Sequence, residues 1–589
     1  MSVPPAHRLW GGWILTSSLV VLAGFLFQID GYALLDPDEG RNAEVAREMT
    51  LTHDWALPRL NGIPYVDKPP LFFVANAVAM TILGETPLAA RIPALLFTIA
   101  TLIVVALFAK RLYDRECAWI AAVATGAMPL TLAYARTVIF DSALTFWVVL
   151  ALFGFHRAVE SANRESDGGR ERPPSSTWWP TLAWGAIGLG ILTKGPIALA
   201  LPLMIALPYA VWRRAVRAVV EPLALLLCVA LVLPWAFLVS REVPGFLHYA
   251  LVIETAGRLA TPELGRTGPI WYFLVILPAA ALPWIVTALA GLRGKVRTGV
   301  GPPDPRLVFL GLWIVVPLVF FTLSQSKRPQ YVLPLLPAIG ILVGAGWHRA
   351  TGRLPGVRPT AVVLCAIGAV LLATSGTIAS WIPAASAQVA AHIPHTAVVL
   401  GVVCCGAAGL AWVAAAHRGA AMLALSLPVA AIPFASTALM GAIGDDRSAR
   451  ALASAIARAG DDGTEVVGVE AFPPSLPFYL RRTITLATRD GSELTSNYVI
   501  RHLESLRRMR GTTLRDVNWW REALTTCTRS RIFVVRADAA VRSLLTEQLP
   551  LIAETRKYAA YGPCGAELLA SEPHTVAAGR EPPVQSTIR

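Results

Sequence analysis

The segment on which the interpretation of this chain depends is LDPDEGRNAEVAREMTLTHDWALPRLNGIPYVDKPPL, which runs from Leu35 to Leu71. It follows one apolar stretch and precedes a long series of others. Nine of the 21 acidic residues among the first 443 lie between Asp30 and Glu85. Carboxylates mixed with cations beside a membrane surface are typical of a site that removes a proton and holds a phosphate. This loop is therefore the predicted centre of function.

The composition indicates an integral membrane protein. The 589 residues are 55% hydrophobic and 15% charged, with a mean hydropathy of +0.56, which is too apolar for a soluble domain. The net charge of +13 comes mostly from Lys and Arg in short loops, where membrane topology places them. It is therefore no sign of a nucleic-acid partner. The first apolar stretch, near 9–28, is expected to be a retained span because no small-residue cleavage site follows it.

Loop charge predicts the topology. Fourteen apolar windows precede the polar C-terminal region, and the basic loops can all face the cytoplasm only if window 70–84 does not cross. The expected fold is therefore mainly α, a polytopic membrane domain over 1–443 with about thirteen transmembrane helices. Its catalytic first loop, 29–87, lies outside. A small α/β domain over 444–570 follows on the same face, and 571–589 is expected to be disordered.

Within the C-terminal region, the patterns predict helices and strands in alternation. The predicted helices are Ser448–Arg458, Tyr498–Arg508 and Ala539–Gln548, and the predicted strands are Glu465–Val469 and Arg531–Val535. Cys527 and Cys564 also lie here, in a compartment expected to be oxidising. They either form a disulfide or stay free, because sequence does not show whether their Cα atoms come within bonding range. The ten His residues show no metal-ligand spacing, so no metal ligands are predicted, and assistance by a divalent metal is left open.

The acidic end of the first loop carries the predicted catalytic carboxylates. Asp38 and Glu39 follow the first apolar stretch, and either is suited to act as a general base toward an acceptor hydroxyl or amine. The alternative is structural, because Asp38 precedes a good helical pattern from Gly40 to Met49 and is a good helix-capping residue.

Several basic residues lie at backbone breaks beside apolar stretches. Lys68 precedes two prolines, Lys194 lies in LTKGP, and Lys327 and Tyr331 lie in SQSKRPQYVLP. A Lys held by a rigid turn at the membrane surface suits a lipid phosphate. An ordinary snorkelling Lys, or a basic corner that meets lipid headgroups, is the alternative at each position.

A further carboxylate, Asp141, lies just inside an apolar stretch in RTVIFDSALTF. Ionisable groups at such depth are functional hypotheses by default. The alternative is a structural ion pair between Asp141 and Arg136 or another cation. Glu254 and Arg258 lie in the polar run ETAGRLATPELGR of a long outer loop.

Together these motifs carry a resemblance to a known superfamily. The runs are DEGRNAEVAREM, W-x-x-P-R-L-N-G, Y-x-x-K-P-P-L, R-x-x-x-x-D-S-A-L-T, L-T-K-G-P and S-x-S-K-x-P-Q-Y-x-L-P. They resemble the bacterial aminoarabinose (lipid A) transferases and the protein O-mannosyltransferases of the glycosyltransferase C superfamily, over about residues 10–350. The layout of thirteen spans and a periplasmic C-terminal domain also resembles the aminoarabinose transferases.

The resemblance implies an inverting transferase that moves a sugar from a polyprenyl-phosphate donor to a lipid, glycan or protein acceptor, at the periplasmic face of the bacterial inner membrane. It implies that Asp38 is the base or orients the acceptor, with Glu39 beside it, and that Asp141 lines the site. The implied phosphate-binding and donor-facing residues are Arg41, Lys68, Lys194, Lys327 and Tyr331. The expected substrate-lining residues are Arg59, Tyr65, Asp67, Arg136, Glu254 and Arg258.

Two departures separate this chain from the usual aminoarabinose transferase pattern. Asn42 stands where a Tyr is usual, and Asp67 stands where a Glu is usual. An enzyme that adds mannose or another sugar to a protein therefore stays an alternative. A transporter or flippase of lipid-linked sugar is a further alternative, but it would favour paired half-repeats with polar residues at the midplane, and the sequence shows no such symmetry.

Overall fold

The computed structural model describes residues 5–166, 178–252, 268–296, 303–350 and 354–564. The predicted site residues Glu254 and Arg258 and the predicted disordered tail lie outside these ranges. Helices dominate. The α-helices are Pro5–Leu26, Asp38–Thr52, Leu71–Leu83, Pro87–Leu112, Arg115–Gly126, Pro129–Ala135, Asp141–Ser166, Trp178–Lys194, Ile197–Trp212, Pro222–Glu242, Phe246–His248, Tyr272–Ala280, Trp284–Val296, Pro305–Leu323, Leu336–Arg349, Val357–Thr374, Ala387–Val413, Arg418–Ala430, Ile432–Ala435, Thr437–Asp446, Arg450–Ala459, Leu476–Leu480, Asn497–Arg507, Trp519–Thr526 and Val541–Gln548.

The strands form two sheets. A hairpin in the first loop pairs β1 with β2, and a six-stranded sheet near the C-terminus has the order β5-β4-β3-β6-β8-β7. The strands are β1 (Arg59–Leu60), β2 (Ile63–Pro64), β3 (Glu465–Val469), β4 (Thr485–Thr488), β5 (Leu514–Asp516), β6 (Arg531–Arg536), β7 (Leu551–Glu554) and β8 (Tyr558–Cys564). Strands β3 to β6 run parallel, and β8 pairs antiparallel with β6 and β7.

The helical body is built for a membrane. Among the described residues, eight helices are long and apolar enough to cross one, or up to ten if each of two bent pairs counts as one span. Large apolar side chains such as Leu223, Phe237 and Val413 face outward on these helices, as lipid contact requires. The chain is therefore an integral membrane protein, and the prediction of a mainly α-helical polytopic fold is confirmed. The count of thirteen spans stays a prediction.

Two features of the body refine the expected spans. Window 70–84 forms the helix Leu71–Leu83, whose 13 residues rise ~20 Å, less than the ~30 Å hydrocarbon core of a bilayer. It is therefore too short to cross. The window predicted near 117–133 is broken into two helices bent by 70°, where Pro129 begins the second helix. Proline removes a backbone donor and clashes with the preceding turn, which explains the break.

The predicted α/β character of the C-terminal region is confirmed. The predicted strand Glu465–Val469 matches β3, and the predicted strand Arg531–Val535 lies within β6. The predicted helices differ from the observed ones by one or two residues at their ends, as helix boundaries usually do. The disulfide between Cys527 and Cys564 is present, with their Cα atoms 6.0 Å apart. The predicted domain boundary falls inside the helix Thr437–Asp446, so the division stays a prediction.

The first loop meets the C-terminal region at a buried carboxyl group. The backbone N–H of Asp36 donates to the Arg447 carbonyl at 2.7 Å, and the Asp36 carboxyl accepts from the Ser475 hydroxyl at 2.8 Å. Its other oxygen, Oδ1, is buried and meets no hydrogen-bond donor among the described residues. Burial raises the pKa of Asp36 to about 7, although the hydrogen bond from Ser475 opposes the shift.

This junction makes stability depend on pH. Because the pKa of Asp36 is higher in the folded protein than its ordinary 3.8, the folded state binds more protons, and stability falls as pH rises from about 4 to about 7. The slope is at most ~1.4 kcal/mol per pH unit. Asp36→Asn stays neutral, so it should flatten this part of the profile and raise the melting temperature near neutral pH. Melting curves across this range, with the exposed Asp538→Asn as control, test this. Equal slopes in wild type and Asp36→Asn would contradict it.

Candidate active site

A cavity of about 220 Å³ lies where the first loop meets the ends of several membrane helices. Its lining combines lysines and carboxylates with aromatic and aliphatic side chains. The polar lining residues are Asp67, Lys68, Asp141, Lys194, Ser324, Ser326, Gln330 and Tyr331. The apolar lining includes Val66, Leu144, Ile197, Leu201, Trp235, Phe246, Phe320, Phe321 and Pro334. The cavity can therefore accept a molecule with an anionic head and an apolar chain.

The Lys68 corner is held by backbone contacts. Pro69 and Pro70 prevent the chain from entering a helix until Leu71, so Lys68 lies in a turn at the cavity wall. Its Nζ donates to the Asp67 carbonyl at 2.6 Å. The Asp67 side chain is buried and accepts from the Tyr249 hydroxyl and from the backbone N–H groups of Asn497 and Tyr498.

The second lysine forms an ion pair inside the cavity. Lys194 Nζ lies 2.5 Å from Asp141 Oδ1, and both side chains are largely buried. The same Nζ lies 5.9 Å from the ring centroid of Tyr331, whose hydroxyl is 3.1 Å from that of Ser326. The structure therefore contains the ion pair that was the structural alternative for Asp141. Its partner is Lys194, which lines the cavity, and not Arg136. Because Lys194 lines the cavity, it can also meet an anionic ligand.

Asp38 lies between two arginines. Its Oδ1 is 2.6 Å from Arg41 Nη2 and its Oδ2 is 3.6 Å from Arg328 Nη1, with 34% of the side chain exposed. The structural alternative, in which Asp38 is the N-cap of the helix, is not observed: the helix begins at Asp38 itself, and Pro37 occupies the cap position. The carboxylate of Asp38 therefore lies partly exposed between two cations of the outer segments.

Glu39 is placed differently from its neighbour. It is buried and forms a 2.7 Å ion pair with Arg91, which is also fully buried. Its oxygens also accept from the backbone N–H groups of Leu35 and Val138. Glu39 is not among the cavity-lining residues, and its contacts tie the first loop to the membrane helices.

Lys327 and Arg136 hold backbone carbonyls at the ends of helices. Lys327 Nζ donates to the carbonyls of Thr322 and Ser324 at 2.8 Å each, just where the helix Pro305–Leu323 ends. Arg136 donates to carbonyls at the end of the helix Pro5–Leu26 and beyond it, including that of Phe27 at 2.7 Å. Basic groups are favourable at helix C-termini. The structure does not bring either of these side chains into the cavity.

Arg59 and Tyr65 support the loop rather than line the cavity. Arg59 Nη2 lies 3.4 Å from Glu242 Oε2 and 3.6 Å from Asp54 Oδ2. Tyr65 is buried, and the Arg41 guanidinium lies 5.8 Å from its ring centroid. Tyr65 therefore packs near Arg41 inside the loop.

Some lining and partner residues were missed by the sequence interpretation. Arg328 lies beside the predicted phosphate-binding residue Lys327, yet it is Arg328 that faces Asp38. Gln330 lines the cavity and accepts from the Tyr134 hydroxyl at 3.0 Å. Both residues lie in the run SQSKRPQYVLP, so their position in this motif was the sequence signal that could have identified them. The aromatic walls, such as Trp235, carry no sequence signal because aromatic residues are ordinary in membrane spans.

One group of possible metal ligands occurs within the described part of the chain, and it lies away from the cavity. Asp114, Cys117 and His348 bring their ligand atoms within 4.8 Å of one another. Asp114 is 2.6 Å from the His348 ring and also caps a helix at the Cys117 N–H, while the Cys117 thiol contacts the Gly344 carbonyl at 3.1 Å. These atoms are already engaged in contacts within the protein.

Comparison with known proteins agrees with this fold. Residues 41–250 match the family described as dolichyl-phosphate-mannose-protein mannosyltransferase. The chain covers 99% of the crystal structure of ArnT from Cupriavidus metallidurans bound to undecaprenyl phosphate, with a TM-score of 0.80 and 24% identity over 95% of this chain. The chain thus has the fold of this ArnT structure, which agrees with the fold that the sequence resemblance predicted.

Two similar sequences share one name. The undecaprenyl phosphate-alpha-4-amino-4-deoxy-L-arabinose arabinosyl transferase of Pectobacterium carotovorum is 32% identical over 360 residues, which is 59% of this chain and 61% of that protein. The protein of the same name from Yersinia enterocolitica is 31% identical over 324 residues, 54% of this chain and 56% of its own length. The chain aligns with less than two thirds of the length of these relatives.

Proposed function

We propose that this protein is an inverting glycosyltransferase that moves a sugar from a polyprenyl-phosphate donor to a lipid A-like lipid acceptor. The observation that carries the proposal is the cavity, whose lining combines Lys68 and the Lys194–Asp141 ion pair with many apolar side chains. A phosphate needs fixed cations, and a polyprenyl chain needs an apolar wall. The named relatives act, by their names, on an undecaprenyl phosphate sugar, which supports the donor class.

The roles of the residues follow from their positions. Lys68 and Lys194 stabilise the charge that develops on the phosphate as the sugar leaves, because cations act strongly in a water-poor cavity. Asp38 accepts a proton from the acceptor or orients it, and Arg41 and Arg328 hold that carboxylate in place. Asp141 sets the position of Lys194. Attack on the sugar from the face opposite the phosphate inverts the anomeric centre.

The proposed cellular setting is the bacterial inner membrane. Residues 1–443 form the transferase domain with its catalytic loop 29–87, and 444–570 form a second domain on the same side. The cavity and that second domain are assigned to the periplasmic face, because the basic loops between spans then face the cytoplasm.

The orientation gives a direct prediction. A reporter fused after Gly444 should be periplasmic and one fused after Arg164 cytoplasmic, because the positive-inside rule places the loop after Arg157 inside. Alkaline phosphatase and green fluorescent protein fusions at both sites, with expression checked by immunoblot, measure this. A cytoplasmic result at Gly444 would overturn the assignment.

A protein acceptor is the second candidate. Two observations favour keeping it: the family match is to protein mannosyltransferases, and Asn42 and Asp67 depart from the usual aminoarabinose transferase pattern. Mass spectrometry of lipid A, glycans and secreted proteins from a deletion strain separates these acceptors. Loss of a sugar from secreted proteins, with lipid A unchanged, would select the second candidate.

The transferase proposal itself is tested by incubating purified protein with a panel of polyprenyl-phosphate sugars and extracted lipid acceptors. The expected result is acceptor-dependent release of polyprenyl phosphate from one donor. A protein that moves labelled donor across vesicles without cleaving it would be a transporter, and release from no donor would reject the proposal.

A further inference from the structure

One short segment of the C-terminal region contacts two separate parts of the first loop beside the cavity. This segment, Thr495–Tyr498, joins the short 3-10 helix Ser492–Leu494 to the helix Asn497–Arg507. Its Thr495 hydroxyl accepts from Arg41 Nη1 at 2.8 Å. The backbone N–H groups of Asn497 and Tyr498 each donate to the Asp67 carboxylate at 3.2 Å.

The contact with Asp67 bears on Lys68. The Asp67 carboxylate lies at the first turn of the helix Asn497–Arg507, which is kinked at His502, and it accepts from N–H groups that have no partner within the helix. It also accepts from the Tyr249 hydroxyl. Because Lys68 is the next residue and donates to the Asp67 carbonyl at 2.6 Å, fixing Asp67 fixes the turn from which Lys68 projects.

The contact with Arg41 bears on Asp38. One nitrogen of the Arg41 guanidinium donates to Thr495 and another lies 2.6 Å from the Asp38 carboxylate. A planar guanidinium held at two nitrogens has a fixed orientation. Thr495 therefore orients Arg41, and Arg41 in turn orients Asp38.

The backbone of Thr495 indicates that its hydroxyl matters. Its φ of 52° and ψ of 32° place it in the left-handed region, where a β-branched residue is a conformational outlier. Glycine adopts this conformation without strain and would be the favoured residue for the turn alone. A strained residue at a functional site is expected to supply something the relaxed residue cannot, which here is the hydroxyl that meets Arg41.

We infer that the segment Thr495–Tyr498 positions Lys68 in the cavity wall and Asp38 in the adjoining loop, so that the C-terminal region is a working part of the active site. Thr495 is a positioning residue that acts through Arg41 on Asp38, and the N–H groups at 497 and 498 act through Asp67 on Lys68. The inference rests on the proposed function and assigns to this region a part in transfer itself.

The discriminating variant is Thr495→Gly, which removes the hydroxyl and the backbone strain together. Turnover should fall on the order of 10-fold or more, the usual effect of removing a partner that orients an active-site group. The melting temperature should stay the same or rise, because glycine relieves the left-handed conformation. Thr495→Ser keeps the hydroxyl and should restore most of the turnover.

A matched control is available in the same interface. The Thr513 hydroxyl donates to the Asn61 carbonyl at 2.7 Å, which is another contact between the C-terminal region and the first loop. Thr513 does not touch Arg41 or Asp67. Thr513→Val should therefore retain turnover, even if its melting temperature falls.

The measurements are turnover with the donor that wild type uses, binding of undecaprenyl phosphate, and melting temperature. Wild-type turnover in Thr495→Gly, or an equal loss in Thr495→Ser and Thr513→Val, would overturn the inference while the proposed function stands. A wild-type protein that neither binds undecaprenyl phosphate nor transfers sugar would instead remove the proposed function, and the inference with it.

Discussion

Asp38→Asn is expected to lower turnover by ~10²–10⁴-fold, the usual contribution of a positioned general base. The substitution keeps the shape of the side chain and removes its charge. The helix begins at Asp38 itself and its cap position is occupied by Pro37, so Asp38 is not the N-cap residue of this helix. Its ion-pair partners are Arg41 and Arg328, and both lose their carboxylate partner in the variant.

Donor affinity separates this role from a merely structural one. The phosphate-binding lysines line the cavity, whereas Asp38 is not among the lining residues, so Asp38→Asn should bind undecaprenyl phosphate nearly as wild type does. Turnover and binding measured on the same purified sample test this, with Asp445→Asn, an exposed carboxylate paired with Arg450, as control. Near-normal turnover would remove Asp38 from the chemistry and direct attention to Asp141.

The convergence of distant motifs was predictable from sequence. Lys68, Asp141, Lys194 and Tyr331 are spread over more than 260 residues, yet all four line one cavity. Each lies at the end of an apolar stretch, and two of them, Lys68 and Lys194, adjoin Pro or Gly. Proline and glycine do not easily continue a membrane helix, so the polar residue beside them is left at the membrane surface. Loop charge then assigns these ends to one face.

The division of roles between neighbours was not predictable. Asp38 and Glu39 differ by one position, which turns a helical side chain by about 100° and separates an exposed face from a buried one. Only the fold shows that Arg91, 52 residues away, completes the pair with Glu39. The same holds for Lys327, whose ammonium bonds to helix-end carbonyls while the adjacent Arg328 faces Asp38.

The contacts of the C-terminal region were likewise hidden from sequence. Strands β4 and β5 have only four and three residues, too few for a periodic pattern to be recognised. The bonds from the Asn497 and Tyr498 backbones to Asp67 use groups that every residue carries. A backbone donor leaves no mark on composition, so its role emerges only when the chain is folded.

Lys194 gives the second large expected effect. Lys194→Met keeps a long side chain and removes the cation, so turnover should fall by ~10²–10³-fold, as when one charge-stabilising group is deleted from an active site. Undecaprenyl phosphate should also bind more weakly, because the phosphate is charged before as well as during transfer. The variant leaves Asp141 buried without its partner, 2.5 Å away in wild type, and such a loss costs about 3–5 kcal/mol. The melting temperature should therefore fall too.

A double variant separates the two consequences of that change. Adding Asp141→Asn to Lys194→Met neutralises the buried carboxylate, and replacing both members of a buried ion pair is often neutral for stability. The melting temperature should therefore return toward that of wild type. If Lys194 holds the phosphate, turnover and undecaprenyl phosphate binding stay low in the double variant, although the fold is restored. If the pair only stabilises the helices that carry it, activity recovers together with the melting temperature, and Lys194 has no part in transfer.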